Sequence, residues 1–223
     1  MSFEEVVQQF MSFNDIKKWI KENKIVFVSS LVFIIALSGG WYYFRVFRAQ
    51  QIRLAYEALN ECLDETMRAY QNPSLWDEAE IAAHTGLRQF GNWEFKPYFK
   101  TIQAEALLRE GDAEHAYLLL GQAHEEMAKA SPFYGYVLIK KLLIGVDLGY
   151  EGAISSLESL AQDKTSSVQD MALYFLGNYY FLAHDTDRAR DIWQKLVELF
   201  ETKGQGLSPW ARHAQTRLER LNS

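Results

Sequence analysis

The chain has 223 residues, room for one ordinary domain plus an anchor, and its 48% hydrophobic and 23% charged residues suit a packed core rather than a disordered polymer. A net charge of −6 divides into +2 for residues 1–48 and −8 for residues 49–223, so the larger part lacks the clustered cations that nucleic-acid binding needs. A single cysteine, Cys62, excludes an intrachain disulfide and a cysteine-rich zinc site; in a helical pattern it reads as a small apolar core residue.

Residues 1–24 are expected to form an amphipathic tail. Phe3, Val6, Val7 and Phe10 follow the i, i+3, i+4, i+7 pattern of an amphipathic helix. Asn14 is placed to cap a further turn in which Ile16, Trp19 and Ile20 share a face opposite Lys17 and Lys21. Such a segment rests on a membrane surface without needing a partner, and a partner contact is the sharper alternative.

Residues 25–44, IVFVSSLVFIIALSGGWYYF, carry no charge. At about 1.5 Å per residue, twenty helical residues span about 30 Å, the thickness of the hydrocarbon core of a bilayer. Lys17, Lys18, Lys21 and Lys24 precede the run; Arg45, Arg48 and Arg53 follow it. Trp41, Tyr42 and Tyr43 close it, where amphipathic rings favour the headgroup layer. A cleaved signal peptide is the competing reading, with Ala36, Leu37 and Ser38 before Gly39 as the cleavage site. Against it stand the aromatic cluster beyond that site and a long leader containing Glu4, Glu5, Asp15 and Glu22. The basic flanks favour a cytoplasmic N-terminus by one residue.

Residues 49–223 contain a repeat. Ala79, Ala116, Ala153 and Ala189 are each preceded two positions earlier by an acid, at spacings of 37, 37 and 36 residues. Ala83, Leu120, Leu157 and Trp193 follow four residues later, and Gly86, Ala123, Leu160 and Leu196 seven later, which draws an apolar ridge down one helical face. Helices are expected near 49–70, 74–90, 94–109, 113–129, 132–147, 151–162, 168–183 and 187–201, as four antiparallel pairs. A loop at 203–206 leads to a capping helix that starts with Ser208 and Pro209 and ends near 221. The fold class expected is all-α: a transmembrane helix, then a tetratricopeptide-like α-solenoid of about four helix pairs and a cap. In the fourth pair Leu176, Gly177, Tyr180, Ala189 and Trp193 fall at the tetratricopeptide spacings, and the second pair keeps Ala104, Leu107, Gly111, Ala116, Leu120 and Ala123. Met67 and Lys141 stand where the first and third pairs need a small residue, and the period exceeds the usual value of about 34.

Catalytic patterns are missing. No two histidines share the i, i+3 or i, i+4 spacing of a metal pair on one helix, and His124 and Glu125 begin an HExxH that Ala128 breaks. Gly204 and Gly206 lack the Lys-Ser/Thr of a phosphate loop. The expectation is a non-enzyme with no cofactor, no metal and no small-molecule substrate.

Carrying the tetratricopeptide motif's inward-facing spacings onto this chain gives a candidate protein-binding groove of Tyr98, Thr101, Glu105, Leu138, Leu142, Tyr174, Asn178 and Phe181. Groove and core stripes share a periodicity, so the alternative is that several of these are core.

The architecture resembles the ancillary subunit family of the bacterial SecYEG translocon. The run IKKWIKENK at 16–24, Gly39, Gly40, Trp41 and Tyr42 at the end of the span, and Leu54, Ala55 and Tyr56 after it carry the resemblance, and length and layout match over nearly the whole chain. It implies a single-pass protein of the bacterial inner membrane, N-terminus cytoplasmic and helical domain periplasmic. Its implied partners are the SecYEG translocon and a membrane-anchored periplasmic chaperone, acting on emerging proteins. The amphipathic stretch at 3–10 departs from that family. A structural scaffold of another membrane or envelope complex is the alternative.

Overall fold

The structure, a computed structural model, describes residues 21–91, 94–201 and 208–221. The expectations for residues 1–20 and for the 203–206 loop fall outside them. The described chain is all helix, with no strand among the described residues. It divides into two compact units, residues 1–54 and 55–223. One uninterrupted helix, α1, runs Lys24–Gln71.

In the first unit α1 is apolar around its whole circumference. Ile25, Val32, Phe33, Ile35 and Leu37 are all exposed. The three serines in the run are satisfied within the helix: Ser29 and Ser30 donate to the Val26 carbonyl (3.0 and 2.8 Å) and Ser38 to that of Ile34 (2.7 Å). A hydroxyl bonded back to its own helix leaves no unpaired polar group for a hydrocarbon solvent. The Arg45 guanidinium lies 5.5 Å from the Trp41 ring centroid. This is the one helix among the described residues long and apolar enough to cross a membrane.

In the second unit the remaining helices are α2 Trp76–Phe90, α3 Lys96–Glu110, α4 Ala113–Glu126, α5 Tyr134–Asp147, α6 Ala153–Gln162, α7 Gln169–Leu182, α8 Thr186–Glu201 and α9 Pro209–Leu221. Each packs on the next in chain order, and α9 packs on both α8 and α7. Short connections between packed neighbours force them to alternate in direction, giving a row of helical hairpins. The termini are set by short polar residues. Asp112 accepts the His115 amide N–H at 3.2 Å, Asp185 that of Arg188 at 3.2 Å, and Ser208 that of Ala211 at 3.2 Å, with Pro209 in the first turn of α9. Asn72 caps a 3-10 turn, Pro73–Leu75, so α2 starts at Trp76 rather than 74. Helix α4 stops at Glu126, short of 129, because Met127 turns to extended backbone (φ −76°, ψ 136°).

The alanine ridge is the spine of the packing. Ala79, Ala83, Ala116, Leu120, Leu157, Ala189, Trp193 and Leu196 are fully buried, and Ala153 nearly so. Glycine brings the fourth hairpin close: a Cβ on Gly177 would stand 2.3 Å from Trp193 Nε1, so the indole lies directly on the α7 backbone. The indole N–H donates to the Tyr174 carbonyl at 3.3 Å. In the third hairpin the close approach is made one turn beyond Lys141. A Cβ on Gly145 would lie 3.3 Å from that of Ala153, while Lys141 itself points to the Tyr117 ring of α4 at 5.1 Å.

Candidate protein-binding groove

Three alternate helices wall a groove of about 690 Å³ in the second unit. The first wall is the 55–71 stretch of α1. Its Ala55, Cys62 and Ala69 recur every seven residues and are fully buried. Ala69 packs with Trp76 and Ala79 of α2 and Ala106 of α3. Small residues on that face leave the neighbouring stripe, Tyr56, Leu59, Leu63, Met67 and Tyr70, about 100° around the helix, for the groove. Tyr56, Leu63, Met67 and Tyr70 remain exposed. The second wall is Phe95 with α3 residues Tyr98, Thr101, Ile102 and Glu105; the third is Phe133 with α5 residues Tyr136, Val137 and Lys140. Tyr56 meets Phe95 edge-on at 4.6 Å between centroids, and Tyr98 meets Phe133 at 5.9 Å, so aromatic contacts tie the walls together.

The floor is polar. Glu105 is only 7% exposed. It accepts from the Tyr70 hydroxyl at 2.6 Å and from Arg109 at 3.4 Å, and its second oxygen pairs with the Lys140 ammonium. Burial pulls Lys140 down to about 8, so it still holds its proton at neutral pH, where the carboxylate beside it favours the charged form. Arg109 also lies over the Tyr70 and Trp76 rings, 5.2 and 5.5 Å from their centroids. At the lip, Glu94 is exposed, and Glu126 is held by Lys96 (2.7 Å) and Lys100 (2.9 Å). Bonds to those ammonium groups hold the Glu126 carboxyl below its ordinary value against the opposing effect of burial.

Of the residues expected to line a groove, Tyr98, Thr101 and Glu105 come together here. The others lie elsewhere. Leu142 is buried and Leu138 half-buried in the core shared by α5 to α9. Tyr174 is half-buried against Phe175, Trp210 and His213. Phe181 packs on Trp193 at 5.8 Å, and Asn178 is half-buried on the same helix. On α5 the core position of Leu138 and Leu142 has a steric reason. Gly135, Leu138, Leu142 and Gly145 share one face, which packs on Val168 and on Ala153 of α6. A Cβ on Gly135 would lie 2.6 Å from Val168 Cγ1, and one on Gly145 3.3 Å from Ala153 Cβ. That turns Tyr136 and Lys140 to the groove in place of Leu138 and Leu142. The glycine pair ten residues apart was the readable signal for this. The α1 wall was missed because no motif marks it, although its 3- and 4-residue apolar spacing was there to see.

His124, of the broken HExxH, is half-buried against Tyr134 at 4.2 Å. Burial and then Lys141 lower its pKa, which keeps the imidazole neutral as a packing group. No three His, Cys, Asp or Glu side chains among the described residues stand together as a metal site. Comparison with known proteins gives no match to a family model, to a curated protein or to a solved structure.

Proposed function

We propose that the chain is a membrane-anchored protein-interaction module that holds a segment of another protein in the groove between α1, α3 and α5. The carrying observation is the pairing of an apolar 25–44 run exposed all round with a separate groove rimmed by exposed Tyr56, Leu63, Met67 and Tyr136. Apolar side chains left in water around a concavity are the usual mark of a protein-docking surface. The hairpin row is read as a degenerate tetratricopeptide-like array, in which the first helix of each pair presents the binding face. The floor residues serve to fix the groove's shape, not to transform a substrate, so the module works without a cofactor.

The N-terminal resemblance extends the reading. It supports an accessory of the secretory translocon, in the bacterial inner membrane with a cytoplasmic N-terminus and periplasmic domain, acting with a membrane-anchored chaperone on emerging proteins. Photo-crosslinkers placed at Leu63 and Tyr136 in intact membranes test it. Adducts to translocon subunits or to a periplasmic chaperone are expected. Adducts to neither, with the same probes active on other membrane proteins, would remove the translocon assignment. One constant adduct to an unrelated membrane subunit would instead make the chain a scaffold of that complex.

A further inference from the structure

We propose that the face of α1 carrying Trp41, Arg45 and Arg48 holds the phosphate of an anionic phospholipid where the apolar run ends. The inference rests on the reading of residues 25–44 as a membrane span and adds which lipid that span selects. At about 100° per residue, Trp41, Arg45 and Arg48 fall within about 60° of one another around the helix. At about 1.5 Å per residue, Arg45 lies ~1.5 Å and Arg48 ~6 Å beyond Phe44, so both stand at headgroup depth when 25–44 fills the hydrocarbon. The Arg45 guanidinium is drawn back over the Trp41 ring, 5.5 Å from its centroid. Trp41, Tyr42 and Tyr43 are exposed at the same level, where amphipathic rings favour the headgroup layer. The charges select the lipid. Three and four residues from Arg45 stand Trp41, Tyr42, Arg48 and Ala49; around Arg48 stand Phe44, Arg45, Gln51 and Ile52. No Asp or Glu occurs between Glu22 and Glu57, so neither arginine has a carboxylate within a helical turn. In the second unit, by contrast, Arg68, Arg109, Arg188 and Arg190 each sit on a carboxylate. Two like charges three residues apart repel along a helix. One phosphate between them relieves that repulsion and accepts guanidinium N–H bonds. A zwitterionic headgroup brings its own cation, which offsets the gain, so the preference is for a net-negative lipid. Arg53 lies about 120° from Trp41 around the helix, with Glu57 four residues on, and is not part of the site.

The test uses the full chain in phosphatidylcholine vesicles with a trace of spin-labelled lipid, and reads the lipid immobilised on the protein by electron paramagnetic resonance. Spin-labelled phosphatidylglycerol should associate roughly fivefold more strongly than spin-labelled phosphatidylcholine at low salt, and less so as salt rises. Arg45→Gln with Arg48→Gln should remove most of that preference, and Arg45→Lys with Arg48→Lys, which keeps the charge, should retain most of it. Lys21→Gln with Lys24→Gln, at the other end of the run, should remove the smaller part. Circular dichroism confirms that each variant is folded. Exchange of chloride for inorganic phosphate at equal ionic strength should change nothing; suppression by phosphate would make the pair a free-anion site and overturn the proposal. Equal association of the two lipids, or a preference lost with the lysines rather than the arginines, would overturn it and leave the span standing. No immobilised lipid of either kind would overturn the span reading as well.

Discussion

His184 has φ 63°, the only non-glycine in the left-handed region among the described residues. It occupies the turn between α7 and α8, just before the capping Asp185. Gly111, with φ 89°, holds the same place before Asp112 in the second hairpin. A left-handed L-residue costs about 1–2 kcal/mol, and glycine gives back about 0.5–1 kcal/mol of that through its larger unfolded-state entropy. His184→Gly should therefore raise stability by up to about 1 kcal/mol, read as a higher urea midpoint at unchanged slope. The buried ion pair runs the other way. Its side chains are 9% exposed at Glu105 and 19% at Lys140, so removing one partner strands a charge. Glu105→Ala should cost about 3 kcal/mol, and Glu105→Leu with Lys140→Met should recover most of it. A double variant as unstable as the single one would mean that the Tyr70 and Arg109 contacts, not the Lys140 pairing, carry the cost.

At the scale of the helix, contacts between elements decide which glycines matter. A Cβ on Gly177 meets the rigid Trp193 indole at 2.3 Å, whereas one on Gly121 meets only the end of the Lys141 side chain at 3.4 Å. Gly177→Ala should lower stability by about 1–3 kcal/mol through overpacking. Gly121→Ala should be neutral or gain up to about 1 kcal/mol from helix propensity. Chemical denaturation of the two variants side by side checks the contrast. The same contacts explain what was legible beforehand. The alanine ridge was readable because small residues every 36–37 positions have one use in stacked helices. The tight spot of the fourth hairpin was readable because Gly177 and Trp193 stand at motif spacing. The α5 face was not, since a motif fixes the period of a helix but not its rotation once a degenerate position has been filled. Lys141 in place of a small residue moved the close approach to Gly145, and the groove then received Lys140. The continuity of α1 was hidden for another reason. The end of an apolar run reads as a boundary, yet nothing between Phe44 and Ala55 breaks a helix: neither proline nor glycine occurs there.

For the whole chain the decisive quantity is which side of the membrane each unit occupies, and the protein supplies its own dark background for measuring it. Cys62 is fully buried, and burial, helped by Glu61, pushes its thiol up to about 12. The reactive thiolate is scarce at neutral pH and the sulfur is covered, so the native chain should take up no maleimide until it unfolds. The raised value carries a sign. The folded form favours the protonated thiol, so its contribution to stability is complete below the ordinary value of 9 and falls away as pH climbs towards 12. Labelling at neutral pH is therefore well clear of that loss. Ser12→Cys places a probe in the leader and Gln194→Cys one on the exposed side of α8. With the proposed orientation, an impermeant maleimide added to spheroplasts should label Gln194→Cys and not Ser12→Cys, and lysis should make both react. The opposite pattern would put the groove in the cytoplasm. That would end the periplasmic-chaperone assignment while leaving the groove between α1, α3 and α5 to be judged on its own crosslinks.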